Sequence, residues 1–267
     1  MRTTRVRVLY AFMIAGALTA GLSAQTAQSG FANMIDHIHL GVPDQARGVQ
    51  WYQRNLGGQP TPEGNDRILY GTTRMIFQVT QAPKTSDRSV IEMIGFSVPD
   101  VAAAMKQLEG DGAKIAMPAM TMDGMQMGRV TDPWGTLLEV VHDPQQLGLH
   151  HITLQASDPT ATLAWFADRF GGKVAQYRGK TPGINYGGVW LFATKGSPEP
   201  SAGHAIDHIG FRPANVDAAV AALKTKNVKI VTEPRPLTLP SGTTMRLAFA
   251  EGPEGIRIEM VQRDNLK

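Results

Sequence analysis

The chain contains the same series of segments twice. DHIHLGVPD from Asp36 and WYQRNLGG from Trp51 return, at one constant spacing, as HHITLQASD from His150 and WFADRFGG from Trp165. IEMIGFSVPDVAAAM from Ile91 returns as IDHIGFRPANVDAAV from Ile206, and DPWGTLLEV from Asp132 as GPEGIRIEM from Gly252. A repeat of this length means two copies of one folding unit, each long enough to bury a core. The copies differ in their ionisable residues. At matched positions the first carries His37, Met93 and Glu139, and the second His151, His208 and Glu259.

Each copy also repeats a smaller pattern. Residues 35–42 alternate like a strand, Asp44 can cap a helix running to Leu56, and Gly57-Gly58 stops it. Residues 149–156, Asp158, a helix to Phe170 and Gly171-Gly172 follow the same plan. Short β-like runs come next, over 67–70 and 74–80 in the first copy and over 173–177 and 188–194 in the second. The plan then restarts with a strand over 90–98 and a helix over 101–108, and again with a strand over 205–212 and a helix over 216–226. The chain is therefore read as four strand-helix-strands modules, paired in sequence order, with linkers over 83–87, 143–147 and 196–203.

Residues 1–24 read as an export signal. Arg2, Arg5 and Arg7 precede an almost wholly apolar run ending in Ser23-Ala24, and that run is shorter than the roughly 20 residues needed to cross a bilayer. Residues 25–33 read as a tether, followed by units over 34–144 and 148–263. The expected location is periplasmic or secreted, with no membrane association after cleavage. Cleavage takes three arginines from 26 basic residues, leaving 23 against 23 acidic ones, so no nucleic-acid partner is expected. The absence of cysteine excludes disulfides, thiolate metal sites and a cysteine nucleophile.

DHIHLGVPD opening one module and DPWGTLLEV closing the next resemble the vicinal oxygen chelate superfamily, which includes glyoxalases, extradiol dioxygenases and bleomycin resistance proteins. The resemblance implies an α+β fold of four βαβββ modules, paired into two open-barrel domains. It also implies one divalent transition metal (iron, manganese, nickel or zinc), held by a histidine from the first strand of each paired module and a carboxylate from the last strand. Carried onto this chain in sequence order, the metal ligands are His151, His208 and Glu259, all in the second copy. His37 and Glu139 are left as a vestigial site, because Met93 replaces the second histidine. Two imidazoles and a carboxylate leave coordination positions open for a substrate with two adjacent oxygens.

The resemblance implies an enzyme for a small chelated substrate: a lyase, an isomerase or an extradiol-type dioxygenase. The alternative is a metal-free protein of the same fold that sequesters a small molecule. Phe249 stands where extradiol dioxygenases usually have tyrosine. The strand GGVWLFAT lacks both the acid-base histidine of dioxygenases and the fourth ligand common in glyoxalases. His204 is the candidate proton carrier and Arg257 a candidate anion holder, while Trp190, Phe192 and Phe249 are expected to line the cavity. The segment from Ala116 holds Met117, Met120, Met122, Met125 and Met127, either as an apolar flap over the first cavity or as a copper(I) ligand set. Two fused copies are consistent with a monomer.

Overall fold

Four helices begin at a polar side chain that closes the first turn. Asp44, Asp100, Asp158 and Asn215 accept hydrogen bonds from the backbone amides of Arg47 (3.1 Å), Ala103 (2.9 Å), Ala161 (3.0 Å) and Ala218 (2.8 Å). The computed structural model describes residues 31–32, 34–239 and 241–263. The expected export signal, and the tether apart from Phe31 and Ala32, lie outside the described residues. Ala32 is buried and its amide donates to the Phe170 carbonyl at 2.9 Å, so backbone pairing begins slightly before the expected Met34.

The first module comprises β1 (Ile35–Val42), α1 (Gln45–Leu56), β2 (Gln59–Pro60), β3 (Arg67–Tyr70) and β4 (Thr73–Val79). The second comprises β5 (Ile91–Ser97), α2 (Val101–Gly110), β6 (Lys114–Met122), β7 (Met125–Thr131) and β8 (Leu137–Val141). The third comprises β9 (Gly148–Ala156), α3 (Pro159–Phe170), β10 (Lys173–Tyr177), β11 (Thr181–Tyr186) and β12 (Val189–Lys195). The fourth comprises β13 (Ile206–Phe211), α4 (Val216–Thr225), β14 (Lys229–Thr238), β15 (Thr244–Glu251) and β16 (Arg257–Arg263). The expected fold class holds: four modules build two eight-stranded, curled mixed sheets with the helices packed on them. No helix among the described residues is long and apolar enough to cross a membrane.

The modules are not paired in sequence order. One sheet runs β14-β15-β16-β13-β1-β4-β3-β2 and the other β10-β11-β12-β9-β5-β8-β7-β6. The first module therefore joins the fourth through antiparallel β1 and β13, and the second joins the third through β5 and β9. Each half of the chain gives one module to each sheet and crosses between them through its linker. The two crossings lie side by side, pairing Lys84 with His204 and Ser89 with Glu199.

Alternation along the strands sorts side chains between core and cavity. On β1, Ile38 and Leu40 enter the hydrophobic core with Ile209 and Phe211 of β13, while His37 and His39 face the concave side. Polar ties join the two sheets' layers: Trp51 Nε1 donates to the Asp111 carbonyl at 2.8 Å and the Tyr52 hydroxyl to Asp132 at 2.8 Å.

Candidate metal centre

The antiparallel register of β1 on β13 sets His37 opposite Gly210 and His39 opposite His208. β16 lies on the far side of β13, with Glu259 beside Gly210. These pairings bring four side chains together that are remote in sequence. One ligand atom each from His37, His39, His208 and Glu259 lies within 4.8 Å of the others. Glu259 Oε2 is 3.0 Å from His37 Nε2 and 3.1 Å from His208 Nε2. Two ligands bound at about 2.1 Å and at right angles stand about 3.0 Å apart, so these spacings suit one edge-sharing coordination shell.

The outer nitrogens of both imidazoles are anchored. His37 Nδ1 is 2.9 Å from Asp36 Oδ1 and His208 Nδ1 is 2.6 Å from Asp207 Oδ1. Each aspartate is held in turn: Asp36 by Arg263 at 2.9 Å and Arg212 at 2.6 Å, and Asp207 by Arg257 at 2.8 Å. A carboxylate at Nδ1 fixes the tautomer and ring orientation, and leaves Nε2 as the ligand atom. Burial would raise the Asp36 and Asp207 pKa values. The hydrogen bonds from His37 and His208, and the neighbouring arginines, pull both below the usual range.

Glu259 is buried, which would raise its pKa, yet the charge of His37 and the hydrogen bonds from His208 and His37 hold it far below the usual carboxylate range. His37 is pushed down by burial and up more strongly by Glu259 and Asp36, so its pKa is raised. His39 goes the other way. Burial, then the charges of His208 and His37, keep it well below the ordinary histidine value and therefore neutral. Its ring stacks on His208 at 4.2 Å, and its buried Nδ1 has no hydrogen-bond partner. A buried, unpartnered imidazole nitrogen on a member of this cluster, together with the donor spacing, fits a divalent metal.

The cluster opens on a cavity of about 350 Å³. Phe249 lies on its wall, directly opposite Glu259 in the β15–β16 ladder, and Arg257 sits 4.3 Å over its ring. Ile76 occupies the place on β4 that corresponds to Glu259 on β16, and His39 on β1 is the fourth side chain of the cluster.

The expected triad is therefore corrected at one residue. His208 and Glu259 come together as expected, but His151 lies on the other sheet and His37, expected to be vestigial, takes its place. The reason is the exchange of modules between halves: β13 pairs with β1, and no ladder joins it to β9. His151 instead faces Glu139, at 3.2 Å between Nε2 and Oε2, with Met93 and Thr153 at the positions that His208 and His39 hold in the first site. Glu139 is bound to Arg129 as well, at 2.8 Å.

Other expected positions also change. His204 lines neither cavity; its Nδ1 is 2.8 Å from the Thr85 carbonyl, where it ties the two crossings together, so a role as proton carrier is not supported. Arg257 lines the cavity beside the cluster but is engaged with Asp207. Phe249 lines the first cavity and Phe192 the second. Trp190 stacks behind Phe192 at 5.7 Å and is not on the wall of either. Asp36 and Asp207 were missed as site residues. The signal for the pairing was present as the doublet Asp-His, found in Asp36-His37 and Asp207-His208 but replaced by Glu92-Met93 and His150-His151 in the other two modules.

Comparison with known proteins agrees with the fold. The family model described as Glyoxalase/Bleomycin resistance protein/Dioxygenase superfamily matches residues 34–140 and again 148–260. Glyoxalase I from Zea mays is similar at 17% identity, with a TM-score of 0.68 over 86% of this chain and 92% of that one. A putative dioxygenase from Bacillus subtilis subsp. subtilis str. 168 is similar at 17% identity, with a TM-score of 0.61 over 88% of this chain and 86% of that one. No curated protein sequence matches. Two family matches spanning most of the chain, on a fold of paired βαβββ modules, place this protein in the glyoxalase/bleomycin resistance protein/dioxygenase superfamily.

Proposed function

We propose that this protein is a divalent-metal-dependent enzyme that acts, in the cavity between the first and fourth modules, on a small anionic substrate with adjacent oxygens. The observation that carries this reading is the convergence of His37, His39, His208 and Glu259 within 4.8 Å. His37, His208 and Glu259 would hold iron(II), manganese, nickel or zinc. The bound ion would supply Lewis-acid charge to a chelated substrate oxygen.

The rest of the chemistry belongs to the chain. Arg67, Arg235, Arg257 and Arg263 line the cavity against two acidic residues, Asp66 and Glu259. Three of these arginines are engaged by Asp66, Asp207 and Asp36. Arg235 is exposed on β14 and has no acidic partner among the described residues, which leaves it to hold a substrate carboxylate or phosphate at the mouth. Leu237, Leu247 and Val261 lie beside Arg235 on the same sheet and make that wall of the cavity apolar, which limits water there. His39, whose buried Nδ1 has no hydrogen-bond partner, would take up a proton from the substrate. Phe249 has no hydroxyl to offer, so proton transfer of the lyase or isomerase kind is favoured over ring cleavage.

Elemental analysis and deuterium wash-in test this together. Protein purified without added metal should retain about one transition metal per chain and exchange deuterium into members of a panel of 2-oxo and 2-hydroxy acids. His39→Ala should keep the metal and lose exchange by about a hundredfold or more. Less than a tenth of a metal per chain, with no activation by the four ions, would overturn the reading in favour of a metal-free sequestering protein. Loss of metal in His39→Ala would make His39 a fourth ligand and end its role as base.

A further inference from the structure

The second cavity, of about 280 Å³, retains only half of the first site's ligand pattern. His151 and Glu139 remain, while methionine and threonine stand where the first site has His208 and His39. What it has acquired is sulfur. Met93, Met122, Met125 and Met127 all line this one cavity. Met122 and Met125 are directly opposed across the β6–β7 hairpin, and Met127 lies two residues along β7 on the same face. Opposed side chains on one face start about 5 Å apart at Cβ, and methionine is long and flexible enough to bring its sulfur further in. The Tyr177 hydroxyl is 3.7 Å from Met125 Sδ, which places that sulfur at the cavity wall.

Packing alone does not call for these thioethers. The β14–β15 hairpin occupies the equivalent place over the first cavity and lines it with Leu237, Leu239 and Leu247, with Met245 as its single thioether. Met122 is 45% exposed, too open for a core filler. The hard ligand that survives is also committed. Burial would raise the Glu139 pKa, but the hydrogen bond and charge of His151 and the charge of Arg129 bring it down to about 2, and both partners hold its oxygens. Arg178 and Lys180 at the rim oppose a dication twice as strongly as a monovalent ion, and Asp123 partly offsets them. The chain has no cysteine, so thioethers are its softest ligands.

We propose that this cavity binds one copper(I) ion through thioether sulfurs drawn from Met93, Met122, Met125 and Met127. Thioethers select a soft monovalent ion over the harder dications that suit the first site. The two centres would thus take different metals from one solution.

Anaerobic titration of the full chain with copper(I) against bicinchoninate tests this. The expected result is one tightly held ion per chain, with affinity at least tenfold lower in the Met125→Leu, Met127→Leu double variant. Met117→Leu, outside the cavity, should leave affinity unchanged, and His208→Ala should too, which separates this site from the proposed enzyme centre. Silver(I) added to protein carrying carbon-13 methionine methyls should move the cavity methyl resonances in a correctly folded sample. Complete retention of copper by bicinchoninate, equal affinity in the double variant, or loss of binding in His208→Ala would each overturn the proposal. So would occupation of the cavity by an apolar anion such as anilinonaphthalene sulfonate with no competition from copper(I).

Discussion

Gly210 is glycine because an imidazole occupies the space of its side chain. A Cβ there would lie 2.1 Å from His37 Cε1, and the same holds at Gly95, where it would lie 1.9 Å from His151 Cε1. Gly210→Ala should displace His37, destabilise the fold by about 1–3 kcal/mol and abolish metal retention, whereas Gly95→Ala should cost similar stability and leave the metal in place. Denaturant midpoints with metal analysis separate the two. The aspartates behind the ligands make a second case: Asp207→Asn should weaken metal binding by about 10- to 100-fold, read by competition with a chelator, because the amide no longer fixes the His208 tautomer firmly. His150 provides a pH dependence away from the metal. Burial and then the charge of His151 lower its pKa to about 4, so it stays neutral in the fold while the unfolded chain takes up a proton near the ordinary value of 6.5. The unfolded state therefore binds more protons between those values, and stability should fall as pH drops from 6.5 toward 4. Urea midpoints should show a shallower fall over that window in His150→Asn; an unchanged slope would contradict the assignment. The meeting of His208 and Glu259 was legible, since the family resemblance puts both at matching module positions. His39 shares the strand face of His37, but only the partner strand puts His208 opposite it.

At the scale of elements, chemistry written locally was readable and chemistry written across strands was not. Helix α1 begins at Asp44 and ends at Gly57, whose φ of 77° is the left-handed turn that the Gly-Gly pair implied. Strands β1, β3 and β10 run over the residues their alternation indicated. β11 was missed, since Thr181–Tyr186 contains proline and glycine, and its extended form comes from pairing with β10 and β12. The methionine segment is expected either as an apolar flap over the cavity of the first copy or as a copper(I) ligand set. It is the hairpin β6–β7, turning at Asp123-Gly124 with positive φ at both, and it lines the second cavity. Its counterpart β14–β15 supplies Arg235 to the first cavity, so Arg235→Ala should raise the KM for an anionic substrate about tenfold or more while leaving metal content and kcat little changed. A matching fall in kcat would instead place Arg235 at the reacting atoms.

At the scale of the whole molecule, the exchange of modules decides where the function sits. Counting ligands along the chain gives one full and one depleted site whether the modules pair in order or crosswise, because Met93 is the single loss in either arrangement. Every module offers the same kind of first-strand edge, so alternation and composition are blind to the choice; only the Asp-His doublets distinguish it. One consequence is that the halves are interdependent. Residues 34–144 or 148–263 expressed alone should lack the metal centre and expose the β1 or β13 edge, while the two co-expressed should restore both. The most direct test of the account is the metal content of two single variants, measured side by side on folded protein. His37→Ala should lose the bound transition metal and His151→Ala should retain it; retention in His37→Ala with loss in His151→Ala would contradict a centre built from the first and fourth modules.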